Sequence, residues 1–407
     1  MLAKSRIAGL PEKPSMKPGH RVLLLAILAA LVAPACRETS GPELRSGYFA
    51  VPEACGSVTS TPSGQLYVWS RPTSSTLKVD AREPDGGIIW STTLAATAAT
   101  CTGSVDLEGN LVTPTADSVF SLDERTGSVR WRIAAAGPRP PAIGAEGMVY
   151  VGTSGGGGAS PTLLAIKASD GSIAWSKDVQ DQGGPHLDAA RSTVFHVRRG
   201  AAAAFNTTTG SLRWEYPVTN ADRGFEGAVT DGSIIVGITG AVYSGVASYE
   251  TAGGTRRWLN LEPAPRNLHA PPILDHEGSA YTAHDANGDA LSAVFATDPS
   301  TGAVKWKLDF DRIESDLAVD ADRIVYVIAR TTAQSLYKLY GLRDGAVVSS
   351  EPTRWVRRMS YHPLLIHPSG RLYYVTDGEV VFAPTAGVHP SARWPMPGAD
   401  AQRSRRR

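Results

Sequence analysis

Only three cysteines occur in 407 residues, at positions 36, 55 and 101, and no two are adjacent. A disulfide-dense small scaffold is thereby excluded. Long apolar runs are scarce too. The run at 22–32, VLLLAILAALV, has eleven residues, whereas a membrane-crossing helix needs about 20. No charge surplus exists, with 40 basic against 39 acidic residues, so nothing marks a nucleic-acid binder. G-x-S-x-G, H-E-x-x-H and P-loop motifs are all missing, which removes the usual signatures of serine hydrolases, zincins and nucleoside triphosphatases. The glycine run at 155–158 has neither the lysine nor the following helix that phosphate binding needs, and reads as a loop. Sustained helical periodicity is absent after residue 36.

What the N-terminus does have is a targeting pattern. Lys4, Arg6, Lys13, Lys17 and Arg21 precede the apolar run, and Ala33-Pro34-Ala35-Cys36 follows it. A basic start, a short apolar middle and small residues read as a secretory signal peptide over 1–35. Small residues before a cysteine resemble a bacterial lipobox, in which Cys36 becomes the lipidated first residue; plain secretion is the alternative. Met16 opens a signal of more usual length, so translation from either Met1 or Met16 is open. Without residues 1–35 the balance is 35 basic to 38 acidic. Arg37 is not the acidic residue some bacteria use for inner-membrane retention, which leans towards the outer membrane, facing the periplasm or the cell surface. The expected organisation is 1–35 signal, 36–47 anchor linker, 48–398 repeat domain and 399–407 basic tail. That tail reads as a solvated terminus.

The repeat domain is organised by tryptophan. Trp90, Trp131, Trp175, Trp214, Trp258 and Trp306 follow one another at spacings of 41, 44, 39, 44 and 48 residues. Trp394 lies 88 residues beyond Trp306, and YGLRDGAVVSS between them is a copy without Trp. A period of 40–50 residues indicates a propeller or a solenoid. Residues 137–175 contain four short strands divided by Gly and Asp turns, the content of one antiparallel blade. The fold expected is all-β: a propeller of about eight four-stranded blades, with seven as the alternative count. Each turn before a Trp pairs a short polar residue with a glycine, as a hairpin requires. The seven Trp residues are expected to dock on the next blade.

The pattern A-x-D-x-x-T-G-x-x-x-W after a VYVG-like strand resembles the PQQ-type β-propeller repeat. The segment Trp394-Pro395-Met396-Pro397-Gly398-Ala399-Asp400 also resembles a W-P-M-x-x-x-D stretch of such propellers. The resemblance spans 48–400. That family includes quinoprotein alcohol dehydrogenases and the propeller lipoprotein of the outer-membrane β-barrel assembly machinery. The dehydrogenases carry a pair of adjacent cysteines over the quinone and acidic and amide ligands for Ca²⁺; neither set is evident here. The expectation is therefore a monomeric, non-catalytic binding or scaffold lipoprotein of the envelope, without a cofactor, binding envelope proteins and no nucleic acid. PQQ with Ca²⁺ belongs to the dehydrogenase alternative. A polysaccharide or cell-wall binder is a third reading, with Trp69 and Trp355 as its aromatic candidates.

Cys55 and Cys101 open the first strands of successive units and are candidates for a disulfide, two free thiols being the alternative. Aligning the units brings Arg139, His186, Glu226, His269, Glu314, Asp316, Tyr361 and His362 to the mouth of an axial funnel. That rim could bind a polar ligand or a peptide; an internally hydrogen-bonded rim is the plainer reading. His269, His276 and His284 share one unit, but their spacing does not put three ligands on one strand face. HDANGDAL at 284–291 has the glycine misplaced and the distal Glu missing for a calcium loop, so no metal site is expected.

Overall fold

The computed structural model describes residues 46–389, except 97–100, 145–146, 156–159, 180–183, 189–191, 199–200, 218–222, 231, 240–243, 263–266, 286–290, 332–335, 354–362 and 377. Among them no α-helix occurs. The described strands form eight antiparallel sheets, six of them joined in simple up-and-down order, so the count is eight and not seven. The inner strands are Ala54–Ser60, Ser104–Val105, Ala142–Ile143, Pro185–Leu187, Arg223–Val229, Asn267–Leu274, the split pair Arg312–Ile313 and Ala318–Val319, and Leu365–His367. Each inner strand meets the next, and the last meets the first, so the ring closes. The outer strands are Ile88–Ala95, Val129–Ala134, Ile173–Asp178, Leu212–Pro217, Arg256–Glu262, Val304–Phe310 and Ala346–Pro352. Burial follows this layering. The third strand of blade two, Ser118–Leu122, is buried throughout, while the outer strand after it alternates.

One contact repeats between blades. In strand register each Trp sits opposite a small residue of the third strand: Ala81, Ser121, Ala165, Ala204, Ser248 and Ala296 face Trp90, Trp131, Trp175, Trp214, Trp258 and Trp306. The ring then presses on the hairpin glycine of the following blade. A Cβ on Gly127 would collide with the Trp90 ring, and φ of +69° there suits glycine. Gly171, Gly210, Gly254, Gly302 and Gly345 stand in the same relation to the next five Trp residues. The indole N–H adds direction. Trp90 donates to Glu124 O at 2.7 Å, and Trp131 to Ala168 O at 2.7 Å. Trp175, Trp214 and Trp258 do likewise.

The ring is closed differently, and here the sequence expectation is corrected. The outer strand of blade eight is Gly47–Ala50, not the segment ending at Trp394, which lies outside the described residues. Two strands of distant sequence can pair because only the ladder of backbone bonds is required. At this seam the aromatic changes sides: Phe382 of the third strand faces Gly47 of the outer strand. Its ring lies 5.8 Å from Tyr373 at 49°, matching Tyr67 and Trp90 at 5.6 Å and 43°. Phe49 in turn covers Gly86 of blade one. Arg371 Nη1 and Tyr373 OH both donate to Pro84 O, at 3.1 and 3.0 Å.

This closure explains the unit without Trp. Blade seven has Ser349 opposite Gly341, where the others have Trp. Because blade eight takes its outer strand from the N-terminus, it has no third-to-fourth-strand hairpin for a Trp to press on. The chain after the last strand crosses blade seven instead. Ala386 N–H donates to Asp320 Oδ2, Ala321 N–H donates to Gly387 O, and Val388 packs on the core beside Ile324 and Tyr326. His389 then stacks on His276 at 3.9 Å.

Replacing one wedge should open one seam. Trp131→Ala is expected to lose roughly 3–5 kcal/mol, read as a lower urea midpoint.

The seam also contains a titratable tie. His367 Nε2 lies 3.2 Å from Gly64 O of blade one, and its Nδ1 accepts the Ser369 N–H at 3.0 Å. Burial is the main force holding its pKa below the ordinary 6.5, with Arg371 adding to it. The neutral ring is therefore the native form. Stability is full above pH 6.5 and falls as the pH drops from 6.5 towards the depressed native value. His367→Gln should flatten that part of a stability–pH curve measured by denaturant titration; an unchanged slope would refute the assignment.

Candidate functional site

The end of the ring at which the inner strands begin forms its mouth. Irregular backbone concentrates there. Inner-strand register slips between Cys55 and Val58, between Gly224 and Gly227, and twice between Leu268 and Ile273. In blade seven residues 314–317 leave the ladder between two short strands. A bulge turns side chains out of the pleat, so these are the positions where an inner strand can present groups towards the axis.

Of the candidate rim residues, Glu226, His269, Glu314 and Asp316 fall at these places, and most of the described candidates are held by neighbours. His186 is 2% exposed, and its Nε2 accepts the Gly227 N–H at 3.2 Å. It ties blade four to the bulge of blade five, with its proton on Nδ1. Glu226 lies inside that bulge; its side chain is outside the described residues. His269 Nδ1 is 2.7 Å from Asp285 Oδ2 within blade six. Glu314 accepts from Tyr337 OH at 2.8 Å and pairs with Arg312 Nε. Burial, then the bond to Glu314, pushes the Tyr337 phenol up to about 12, so it remains a donor at any physiological pH. Arg139 is half-buried, and its backbone N–H donates to Gly152 O. Asp316 is 0% exposed, and Ser315 beside it bonds Ile328 N–H and Asp316 O. Tyr361 and His362 lie outside the described residues, as do Cys36 and Trp355.

Other candidates turn inward. His284 is buried against Phe295, 4.8 Å away edge-on, and contacts Thr282 Oγ1 at 3.2 Å. His276 sits in the turn at the other end of its inner strand, so the three histidines do not converge. Trp69 is fully buried and donates to Thr113 Oγ1 at 3.1 Å; it offers no platform for a sugar ring.

Small hydroxyl residues at the mouth were not singled out from sequence. Ser57 N–H donates to Cys101 O at 3.0 Å, Thr59 Oγ1 to Gly103 O, and Ser104 Oγ to Pro141 O at 2.8 Å. These bonds stitch blades one, two and three. Their only signal was the small-residue character of the first strands. Cys55 and Cys101 form a disulfide at the same place, with Cα atoms 5.7 Å apart. It joins successive inner strands and is not a pair of adjacent cysteines.

A quinone–calcium centre would need a set of free oxygen ligands grouped at the mouth. Glu314 and Asp285 are paired within the protein, and among the described residues no group of three or more His, Cys, Asp and Glu side chains could hold a metal. No chemistry is derived through such a group.

The comparisons agree with this architecture. A family profile described as outer membrane protein assembly factor BamB matches residues 73–308, more than half of the chain. The chain belongs to this BamB-type PQQ-repeat family. Solved structures similar to it include BamB from Moraxella catarrhalis, at 17% identity over 81% of this chain and 84% of that one, with a TM-score of 0.47. A europium-containing methanol dehydrogenase is 14% identical over 82% and 84%, with a TM-score of 0.61. Sqt1 from Saccharomyces cerevisiae is 12% identical over 84% and 99%, with a TM-score of 0.66. Likeness at such identities concerns the fold alone. Among curated proteins there is no match. The BamB-type fold and its repeat support a scaffold or binding role.

The disulfide closes a loop across 46 residues. Chain-entropy reasoning gives it up to about 4 kcal/mol. Cys55→Ser with Cys101→Ser should lower the thermal midpoint and remove its sensitivity to dithiothreitol.

Proposed function

We propose that this BamB-family propeller is a non-catalytic scaffold of the bacterial cell envelope. It is exported, tethered through lipid on Cys36, and held at the outer membrane, where its loops and outer edges engage envelope proteins. The observation that carries this reading is the family match across 73–308. Two features support it. The mouth spends its described polar groups on ties between and within blades, as a rigid platform does. The outer strands leave apolar side chains such as Ile173, Leu212 and Leu259 exposed, and an unpaired outer edge can accept a partner strand. The family's description as an assembly factor for outer membrane proteins suggests the class of partner.

The likeness to a methanol dehydrogenase favours a second reading, quinone-dependent oxidation. One experiment separates the two. Photo-crosslinkers placed at Leu212 and Leu259 in cells should yield a discrete envelope-protein adduct, and purified protein mixed with PQQ and Ca²⁺ should show no dye-linked alcohol oxidation. Oxidation without an adduct would reverse the assignment.

A further inference from the structure

We propose that the stretch of rim formed by the outer strands of blades seven and eight is the surface that rests on the membrane. The proposal builds on the lipid anchor at Cys36 and adds which side of the propeller that anchor turns towards lipid.

The argument begins with where the chain enters the fold. The first described strand, Gly47–Ala50, is the outermost strand of blade eight. Only ten residues, 37–46, separate it from Cys36. Fully stretched, ten residues reach about 35 Å; relaxed, they span roughly 17 Å. A compact body of the size of residues 46–389 is about 50 Å across. The tether is thus too short for the opposite rim, at blades three and four, to touch the bilayer. The relaxed length keeps the point of entry close to it.

The rim at that point suits an interface. Ser46 Oγ donates to Glu351 Oε2 at 3.3 Å, bringing the start of the outer strand of blade eight to the end of that of blade seven. The outer strand of blade seven, Ala346–Pro352, is exposed at every residue and has no Trp turned inward. Val347 and Val348 are 47% and 50% exposed, and Tyr48 of blade eight is 50% exposed. Aliphatic side chains and tyrosine are favourable at the boundary between headgroups and acyl chains. Apolar exposure alone does not choose this rim, since Ile173 and Leu212 are exposed on the far side. The attachment point chooses it.

The test uses the full chain, lipidated in bacterial membranes and reconstituted into phosphatidylethanolamine–phosphatidylglycerol vesicles carrying doxyl-quencher lipids. Val348→Cys and, separately, Ile173→Cys supply a site for a fluorophore; Cys55 and Cys101 are bonded to each other and do not compete. Fluorescence should be lost at position 348 and retained at 173. Equal quenching at both positions, as in a face-down pose, or none at 348, overturns the proposal while co-flotation with the vesicles shows the anchor intact. A chain that does not co-float refutes the anchor itself, and this orientation with it.

Discussion

An aromatic ring pressed against a glycine holds seven of the eight sheets to the next. The third strand supplies a small residue, the outer strand supplies the ring, and the following hairpin supplies a surface without a Cβ. Six successive seams repeat this arrangement, from Trp90 on Gly127 to Trp306 on Gly345. Burial of the indole gives the seam its energy. The indole N–H, aimed at a carbonyl of the next hairpin in at least five of them, fixes the angle. A ring of eight sheets follows from repeating one local contact, because each sheet is stabilised mainly by its two neighbours.

Phe49 on Gly86 repeats the contact where blade eight meets blade one, but the seam between blades seven and eight cannot use it. No eighth third-to-fourth-strand hairpin exists, since the outer strand arrives from the other end of the chain. Two adjustments follow. The aromatic moves to Phe382, with Gly47 opposite it, and blade seven goes without its Trp while residues after the last strand pack over it. The apparent degeneracy of the seventh repeat is the consequence of closure elsewhere. Where blade eight meets blade one, His367 reaches Gly64 O, and burial holds its imidazole pKa below the ordinary value.

The mouth shows how a plausible site can be structural. Among the described residues, His186, His269 and Glu314 lie on or next to inner strands, several of which carry bulges that leave backbone N–H groups to be satisfied. A buried N–H must find an acceptor, and His186 serves that of Gly227. Glu314 is likewise engaged by Tyr337 and Arg312. These described groups satisfy partners within the irregular inner strands and their neighbours.

Tryptophan period, turn residues and alternating strands determined the blade, its four strands and the family, because these are local patterns that each unit repeats. The Cys55–Cys101 relation was legible for the same reason: both occupy one position of the repeat. Tertiary structure alone decided how the ring closes, since pairing Gly47–Ala50 with the last blade is a contact between the two ends of the chain with no periodic signal. It also decided the fate of the rim side chains. Aligned repeats can place His186 or Glu314 at the mouth, but whether a side chain faces a ligand or a neighbouring N–H depends on bulges, and those are set by packing around the axis.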